Sequence, residues 1–334
     1  MTALVTGGAG FVGRHLVAQL AAAGGPVRVL DVAPRPPEFG DDVDYRQGSI
    51  LDAEALAGAM AGVDTVYHLA ANPHLWARDK SVFHRINVDG TAAVLSAVRQ
   101  AGVRRIVVTA TEVILRDWRS NSPEPLTEAE PTPPASAMAG PYTRSKHAAD
   151  RLVREAAQAG LPVVSLYPTV PIGPGDVNMT APTAMLRGFL EGKTPAFLDC
   201  RLNLIAVGDV AAAHILAAEK AAPGARYIIA GEDVLLSDLL DWLEEISGRP
   251  VPQRRVPYWL AAASGHVGTF VADHLTGRAP MGPIEGVRLA RGRWPIDGGK
   301  ALRELGLTLT PARVAVERAV RWLLDDAENA MPIV

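Results

Sequence analysis

Residues 3–6 read Ala-Leu-Val-Thr and run without a charged break into glycines at positions 7, 10 and 13. A short apolar run of this kind belongs in a parallel sheet buried on both faces. The three glycines have separate uses in a strand–turn–helix unit. Gly7 permits the tight turn out of the strand, Gly10 lets backbone approach a pyrophosphate, and Gly13 lets the next helix sit close on the sheet. Helical spacing follows over 11–23, with Val12, Leu16 and Leu20 on one stripe. A glycine trio alone marks only a tight turn. Between a strand and a helix, with Asp31 closing the next strand 18 residues after Gly13, it predicts a dinucleotide site. The pyrophosphate is expected on the free N–H groups of the first helix. Asp31 is suited to accept both ribose hydroxyls of adenosine and repels a 2′-phosphate, which favours NAD over NADP. Arg35, between two prolines, pulls the other way.

The alternation continues. Strands are expected at 27–31, 43–46, 65–69, 105–109 and 161–167, and helices at 52–60, at 83–100 and in the segment that carries Lys146. That rhythm predicts an α/β fold, a doubly wound parallel (Rossmann) sheet covered on both faces. A chain of 334 residues fits about two domains of roughly 150 residues each. Residues 1–170 are expected to form the dinucleotide-binding domain with the reactive residues. Residues 171–334 are expected to form mainly a smaller C-terminal α/β substrate domain, with some segments returning to the first. In that second part helices are expected at 181–191, 236–247, 258–275 and 311–326, and strands at 203–206 and 227–230, a mix that suits a lid over a substrate.

Composition narrows the partners. The formal charge is −3 with no basic stripe, which argues against nucleic acid. No apolar run reaches the length of a bilayer span, the Ala-rich 259–264 being far too short, and no Lys/Arg block marks a membrane surface. The single cysteine, Cys200, excludes a disulfide framework and a thiolate metal site, and the histidines lack metal-ligand spacing. Met1-Thr2 runs into the first strand without the regions of a signal peptide. The expectation is a cytoplasmic protein with a small-molecule substrate.

Tyr142 and Lys146 are i and i+4, so a helix places both on one face. A free tyrosine has a pKa near 10. An ammonium and an oxidised nicotinamide nearby would favour its phenolate, which takes a proton from an alcohol or, in reverse, returns one to a carbonyl. Thr111, just past the apolar run 106–108, is placed to orient the substrate oxygen. Between Thr111 and Tyr142 lies a loop stiffened by Pro123, Pro125, Pro131, Pro133 and Pro134, expected to edge the reactive pocket, with Met138 lining the cleft. Candidate substrate contacts are His74, Trp76, Asn178, Arg187, Arg201, Asn203 and Arg288; an arginine facing a diphosphate would favour a nucleotide sugar.

The segments TGGAGFVG at 6–13, YHLAA at 67–71, NVDGT at 87–91, YTRSK at 142–146, YPTVPIGPGD at 167–176 and NLIAVGDVA at 203–211 resemble the extended short-chain dehydrogenase/reductase family over nearly the whole chain. Residues 74–79 and 192–196 look most like its hopanoid-associated sugar epimerase-like and dihydroflavonol-reductase-like branch. The resemblance implies a catalytic set of Thr111, Tyr142 and Lys146, with Asn87 and Glu112 as accessories. It implies a cofactor site of Gly7, Gly10, Phe11, Val12, Gly13, Asp31, Ser49, Ile50, Leu69, Ala70, Ala71, Tyr142, Lys146, Pro168 and Val170, and a homodimer through long helices of the first domain. The sequence departs from the family at Ala110-Thr111, where two serines are usual, and at Ser49, where an acid is usual. Glu112 follows the hydroxyl residue as an acid does in the family's sugar-nucleotide dehydratases, but Val113 fills the second acidic place, which argues against dehydration. Three functions stay open: an oxidoreductase of a secondary alcohol or ketone, a nucleotide-sugar epimerase with tightly held NAD, and a non-catalytic dinucleotide sensor.

Overall fold

The computed structural model describes residues 1–292 and 294–329. The chain begins with β1 (Ala3–Thr6), α1 (Phe11–Ala22), β2 (Val27–Asp31), β3 (Val43–Gln47), α2 (Ala53–Met60) and β4 (Thr65–His68). Next come α3 (Ser81–Phe83), a π-helical segment at His84–Asp89, α4 (Gly90–Ala101), β5 (Arg105–Thr109), α5 (Pro141–Gln158) and β6 (Val163–Pro168). The later half holds β7 (Val170–Ile172), α6 (Ala181–Leu190), β8 (Ala196–Phe197), β9 (Arg201–Ala206), α7 (Val207–Lys220), β10 (Arg226–Ile229), β11 (Glu232–Leu235) and α8 (Leu236–Ser247). It ends with β12 (Arg254–Arg255), α9 (Tyr258–Val271), α10 (Ile284–Leu289), α11 (Gly299–Leu305) and α12 (Ala312–Asn329).

Seven strands form one sheet in the order β10-β6-β5-β4-β1-β2-β3, and every pairing in it is parallel. The expected doubly wound sheet is therefore present. Its winding reverses between β1 and β4, and ligands of such sheets bind outside the strand ends at that switch. Each face carries a core. Leu16 and Val17 of α1 pack with Val210 and Ala213 of α7 on one side. Leu56, Val94, Val98 and Val153 of α2, α4 and α5 cover the other. Val94, Leu95 and Val98 are thus buried within one chain.

Beyond residue 170 a three-stranded sheet, β11-β9-β7, packs with α6, α8 and α12 around Leu186, Phe189, Leu239, Leu243 and Val316. β10 leaves this region and adds to the large sheet beside β6. The helix expected over 83–100 divides: the π-helical segment precedes α4 and holds Asn87 buried. The proline-rich loop keeps Pro123, Pro125, Pro131 and Pro134 exposed but is anchored by Leu126, which is fully covered and bridges to Ile296.

Candidate active site

A cleft of about 1970 Å³ runs along the strand ends, from Asp31 and Ile50 past Gly10 to Tyr142, and on between α6 and α9. Its floor begins at the glycine turn. Gly7 sits at φ 75°, and a Cβ there would lie 2.6 Å from the Ala70 nitrogen, so strand β4's exit closes directly over it. A Cβ on Gly13 would lie 2.2 Å from the Gly7 carbonyl oxygen; only glycine lets α1 start this close to the turn. No side chain caps the N-terminus of α1, which leaves its first N–H groups to an anionic ligand.

At one end, Asp31 closes β2. Its Oδ2 accepts from Ala9 N at 2.9 Å and its Oδ1 from Ala33 N at 3.0 Å. Both oxygens retain a lone pair for hydroxyl donors. Arg35 is turned away: its guanidinium donates to the Phe39 and Gly40 carbonyls, and it is not part of the cleft wall. These features fit the adenosine half of a dinucleotide without a 2′-phosphate. Phe11, Val12, Ser49, Ile50, Leu69, Ala70, Ala71, Pro168 and Val170 all line the same cleft.

At the other end, Thr111, Glu112, Tyr142 and Lys146 share one stretch of wall. Burial raises the Tyr142 phenol well above its ordinary value, the charges of Glu112 and Glu285 add to that, and the neighbouring Thr111 hydroxyl opposes it. The chain's own groups therefore hold Tyr142 as the phenol rather than the phenolate. Burial lowers Lys146 to about 8, against the opposing charge of Asp150, and its Nζ donates to the Thr109 carbonyl at 2.8 Å. The Thr111 hydroxyl donates to Glu112 Oε2 at 3.1 Å. Burial pushes the Glu112 carboxyl up to about 7, partly opposed by its hydrogen bonds. Asn87 does not reach the cleft wall. Its Nδ2 donates to Ser145 Oγ at 2.8 Å and its Oδ1 accepts from Asn72 N at 2.7 Å, tying α5 to the loop after β4.

Sequence reasoning missed Glu285. It is 2% exposed, comes from α10, and caps α5 from outside. Its Oε2 accepts from Tyr142 N at 3.1 Å, and its Oε1 accepts from Thr143 N and Thr143 Oγ1, both at 2.8 Å. α5 opens on Gly140-Pro141, where the glycine offers no side-chain acceptor to the following N–H groups and Thr143 Oγ1 takes only the Gly140 N–H, at 3.0 Å. A Cβ on Gly140 would meet Glu285 Oε2 at 2.3 Å, so the glycine makes room for the carboxylate. A buried anion at a helix N-terminus satisfies orphan donors and complements the dipole. Trp118, also unforeseen, lines the cleft.

Of the expected substrate contacts, His74, Trp76, Asn178, Arg187, Arg201 and Asn203 line the cleft, but several are engaged elsewhere. Trp76 Nε1 donates to Asp273 at 2.7 Å. Arg187 bridges to Glu191 at 2.9 Å, and Arg201 to Asp233 at 3.6 Å. Asn203 is used across β9–β11, donating to Asp233 at 2.8 Å and accepting from Gly231 N at 2.8 Å. Two expectations need correction. Met138 is 4% exposed and packs with Ile114, Leu115 and Tyr167 behind the loop rather than in the cleft. Arg288 donates to the Ala139 carbonyl at 2.8 Å and stacks over Trp118, so it braces the loop from outside the wall. Among the described residues no group of acids, histidines and cysteine has metal-binding geometry.

Comparison with known proteins agrees with this geometry. Residues 3–230 match the model of the NAD dependent epimerase/dehydratase family. A Synechocystis protein named as a dihydroflavonol 4-reductase is 34% identical over 95% of this chain and 93% of its own. The 4-hydroxy-2-methyl-3-oxo-4-farnesyl-3,4-dihydroquinoline-1-oxide ketoreductase of Stigmatella aurantiaca is 32% identical over 99% of both chains. The UDP-glucose 4-epimerase of Thermus thermophilus, solved with NAD, superposes with a TM-score of 0.76 at 25% identity, covering 97% of this chain and 99% of its own. With a glycine turn, a strand-end acid and a Thr–Tyr–Lys set on one cleft, the chain belongs to the NAD dependent epimerase/dehydratase family, within the extended short-chain dehydrogenases/reductases.

Proposed function

We propose that this chain interconverts a bulky, mainly apolar ketone and its secondary alcohol, with NAD as redox partner and Tyr142 as the acid/base. The observation that carries the reading is the cleft beyond Tyr142. Its wall is built from Leu75, Trp118, Met179, Phe189, Leu260 and Val287, and its cations Arg187, Lys193 and Arg201 are each bridged to a carboxylate, Glu191 or Asp233. Such a wall suits a ring or chain of carbon better than a diphosphate. The two reductase relatives, by their names, act on a flavonoid and on a farnesylated quinoline oxide, both carbon-rich ketones.

In this reading Gly7, Gly10 and Gly13 with the N-terminus of α1 hold the pyrophosphate, Asp31 holds the adenosine ribose, and Lys146 holds the nicotinamide ribose. NAD, when bound, supplies or accepts the hydride. Tyr142, kept as the phenol by burial, donates its proton to the carbonyl oxygen during reduction and recovers it in oxidation. Thr111 orients the same oxygen, and Glu112 behind it fixes the hydroxyl. The protein is expected in the cytoplasm as a homodimer through α4 and α5. Val94, Leu95 and Val98 do not argue for that dimer, since they already serve the single chain's core.

The test is a screen of ring ketones for NADH consumption, with Tyr142→Phe as control. The variant is expected to lose about 10²- to 10⁴-fold in turnover and to bind NADH as before. The epimerase reading, favoured by the structural likeness to the UDP-glucose enzyme, takes over if NAD-loaded protein binds UDP, GDP or dTDP at micromolar levels and no ketone is reduced. No turnover with any ketone or sugar nucleotide, and Tyr142→Phe without effect on any measurable function, would leave only a dinucleotide sensor.

A further inference from the structure

α9 is a surface helix with no Asp, Glu, Lys or Arg between residues 258 and 271, and Gly265 is its one buried residue. Trp259, Val267 and Phe270 follow one another at spacings of eight and three on its outer face and are 69%, 65% and 60% exposed. The π-helical end adds Leu275 at 75%, and Met281 beyond it is 74% exposed. An ordinary surface helix carries charge where these side chains lie, and a contiguous apolar patch of this kind marks a binding face. α9 also has an inner face: Leu260, Ala261, Ser264 and Gly265 line the cleft.

We propose that α9 lays the protein on an anionic lipid surface, with its outer face in the interface and the mouth of the cleft beside it. Charge supports this occupant. Between residues 251 and 283 there are three basic residues, Arg254, Arg255 and Arg278, against one acid, Asp273; Arg255 is bridged to Asp199 at 3.1 Å, so the positive charge at the two ends of the segment rests on Arg254 and Arg278. Asp273 is itself bridged to Lys80 at 2.8 Å, and Arg78 lies against the Gly277 turn at the same end. An apolar helix face flanked by arginines at both ends has the build of an interfacial helix. An antiparallel pairing of two α9 helices would instead bring Arg254 toward the partner's Arg278, a like-charge contact. The contact is not a span. Fourteen residues rise about 21 Å, short of the roughly 30 Å of a bilayer core, and no described helix qualifies to cross one. The proposal rests on the apolar-ketone reading for its purpose, since a lipophilic substrate reaches the cleft from the bilayer rather than from water.

Flotation of the full chain with phosphatidylcholine vesicles, with and without phosphatidylglycerol, tests it. The protein is expected to float with the anionic vesicles, less with phosphatidylcholine alone, and less at high salt. Trp259→Ser with Phe270→Ser is expected to lower partitioning by about tenfold or more. Its thermal unfolding and NADH affinity are expected to be unchanged, because neither side chain lines the cleft. Arg254→Glu with Arg278→Glu is expected to abolish the preference for anionic vesicles. Wild-type protein that stays in the aqueous fraction with both vesicles overturns the proposal. So does a dimer dissociated by Phe270→Ser in the absence of flotation, which would assign the face to a second copy. Ketone reduction without flotation refutes the docking alone, and flotation without reduction of any apolar ketone refutes the activity alone.

Discussion

Glu112→Gln isolates the buried acid beside the Thr111 hydroxyl. The Glu112 carboxyl is 8% exposed and is pushed by burial from 4.5 to about 7. The folded protein thus keeps this proton up to about pH 7, whereas the unfolded chain releases it near 4.5. Between those values the unfolded state binds fewer protons, so stability falls as pH rises across the window and is level beyond it. The rise in pKa corresponds to roughly 3 kcal/mol at most. Glutamine fills the same volume, accepts from the Thr111 hydroxyl through its amide oxygen, and does not ionise. The variant is expected to match wild type near pH 5 and to be more stable at pH 8 by roughly 2–3 kcal/mol. Urea unfolding at the two pH values, read as the midpoint times a common slope, measures the difference. Equal pH dependence in the two proteins would refute a protonated, buried Glu112. A variant less stable than wild type at pH 8 would mean that the carboxylate is the form the site holds.

Two further substitutions probe the ends of the cleft. Glu285→Ala removes the acceptor of Tyr142 N, Thr143 N and Thr143 Oγ1, and is expected to cost roughly 2–4 kcal/mol in thermal or urea unfolding; a loss within about 0.5 kcal/mol would show that α5 needs no outside cap. Asp31→Asn removes the charge that repels a 2′-phosphate while keeping the side chain's shape, and is expected to shift the ratio of NADPH to NADH affinity by about tenfold toward NADPH; an unchanged ratio in a fluorescence titration would remove Asp31 from cofactor choice.

The glycine turn, the alternation of strands and helices and the Tyr–Lys spacing were legible because each is local. A strand buried on both faces must be apolar throughout, a close helix approach must have glycine, and two groups on one helix face must sit four apart. What lay outside the sequence's reach depends on contacts between distant segments. Met138 is expected in the cleft because the loop before Tyr142 edges it, yet the loop has two sides, and Ile114 with Tyr167 draws Met138 to the far one; Arg288 is expected there as a polar contact, and the Ala139 carbonyl takes it instead. The exposed face of α9 was hidden for the opposite reason. Apolar content at helical spacing reads as core wherever no partner is known, and only the fold reveals that nothing among the described residues covers Trp259 or Phe270. Glu285 stands 142 residues from Thr143 in a six-residue helix with no motif around it. A trace of it was nevertheless present. A helix that begins Gly-Pro has no side chain to accept its first N–H groups, and buried donors do not go unmet. The acceptor had to come from elsewhere in the chain, and a carboxylate also suits the positive end of the helix. The same contact makes the position of Tyr142 depend on α10, whose Gly286, Val287 and Leu289 line the cleft. Tyr142 is thereby held in register with that stretch of the cleft wall.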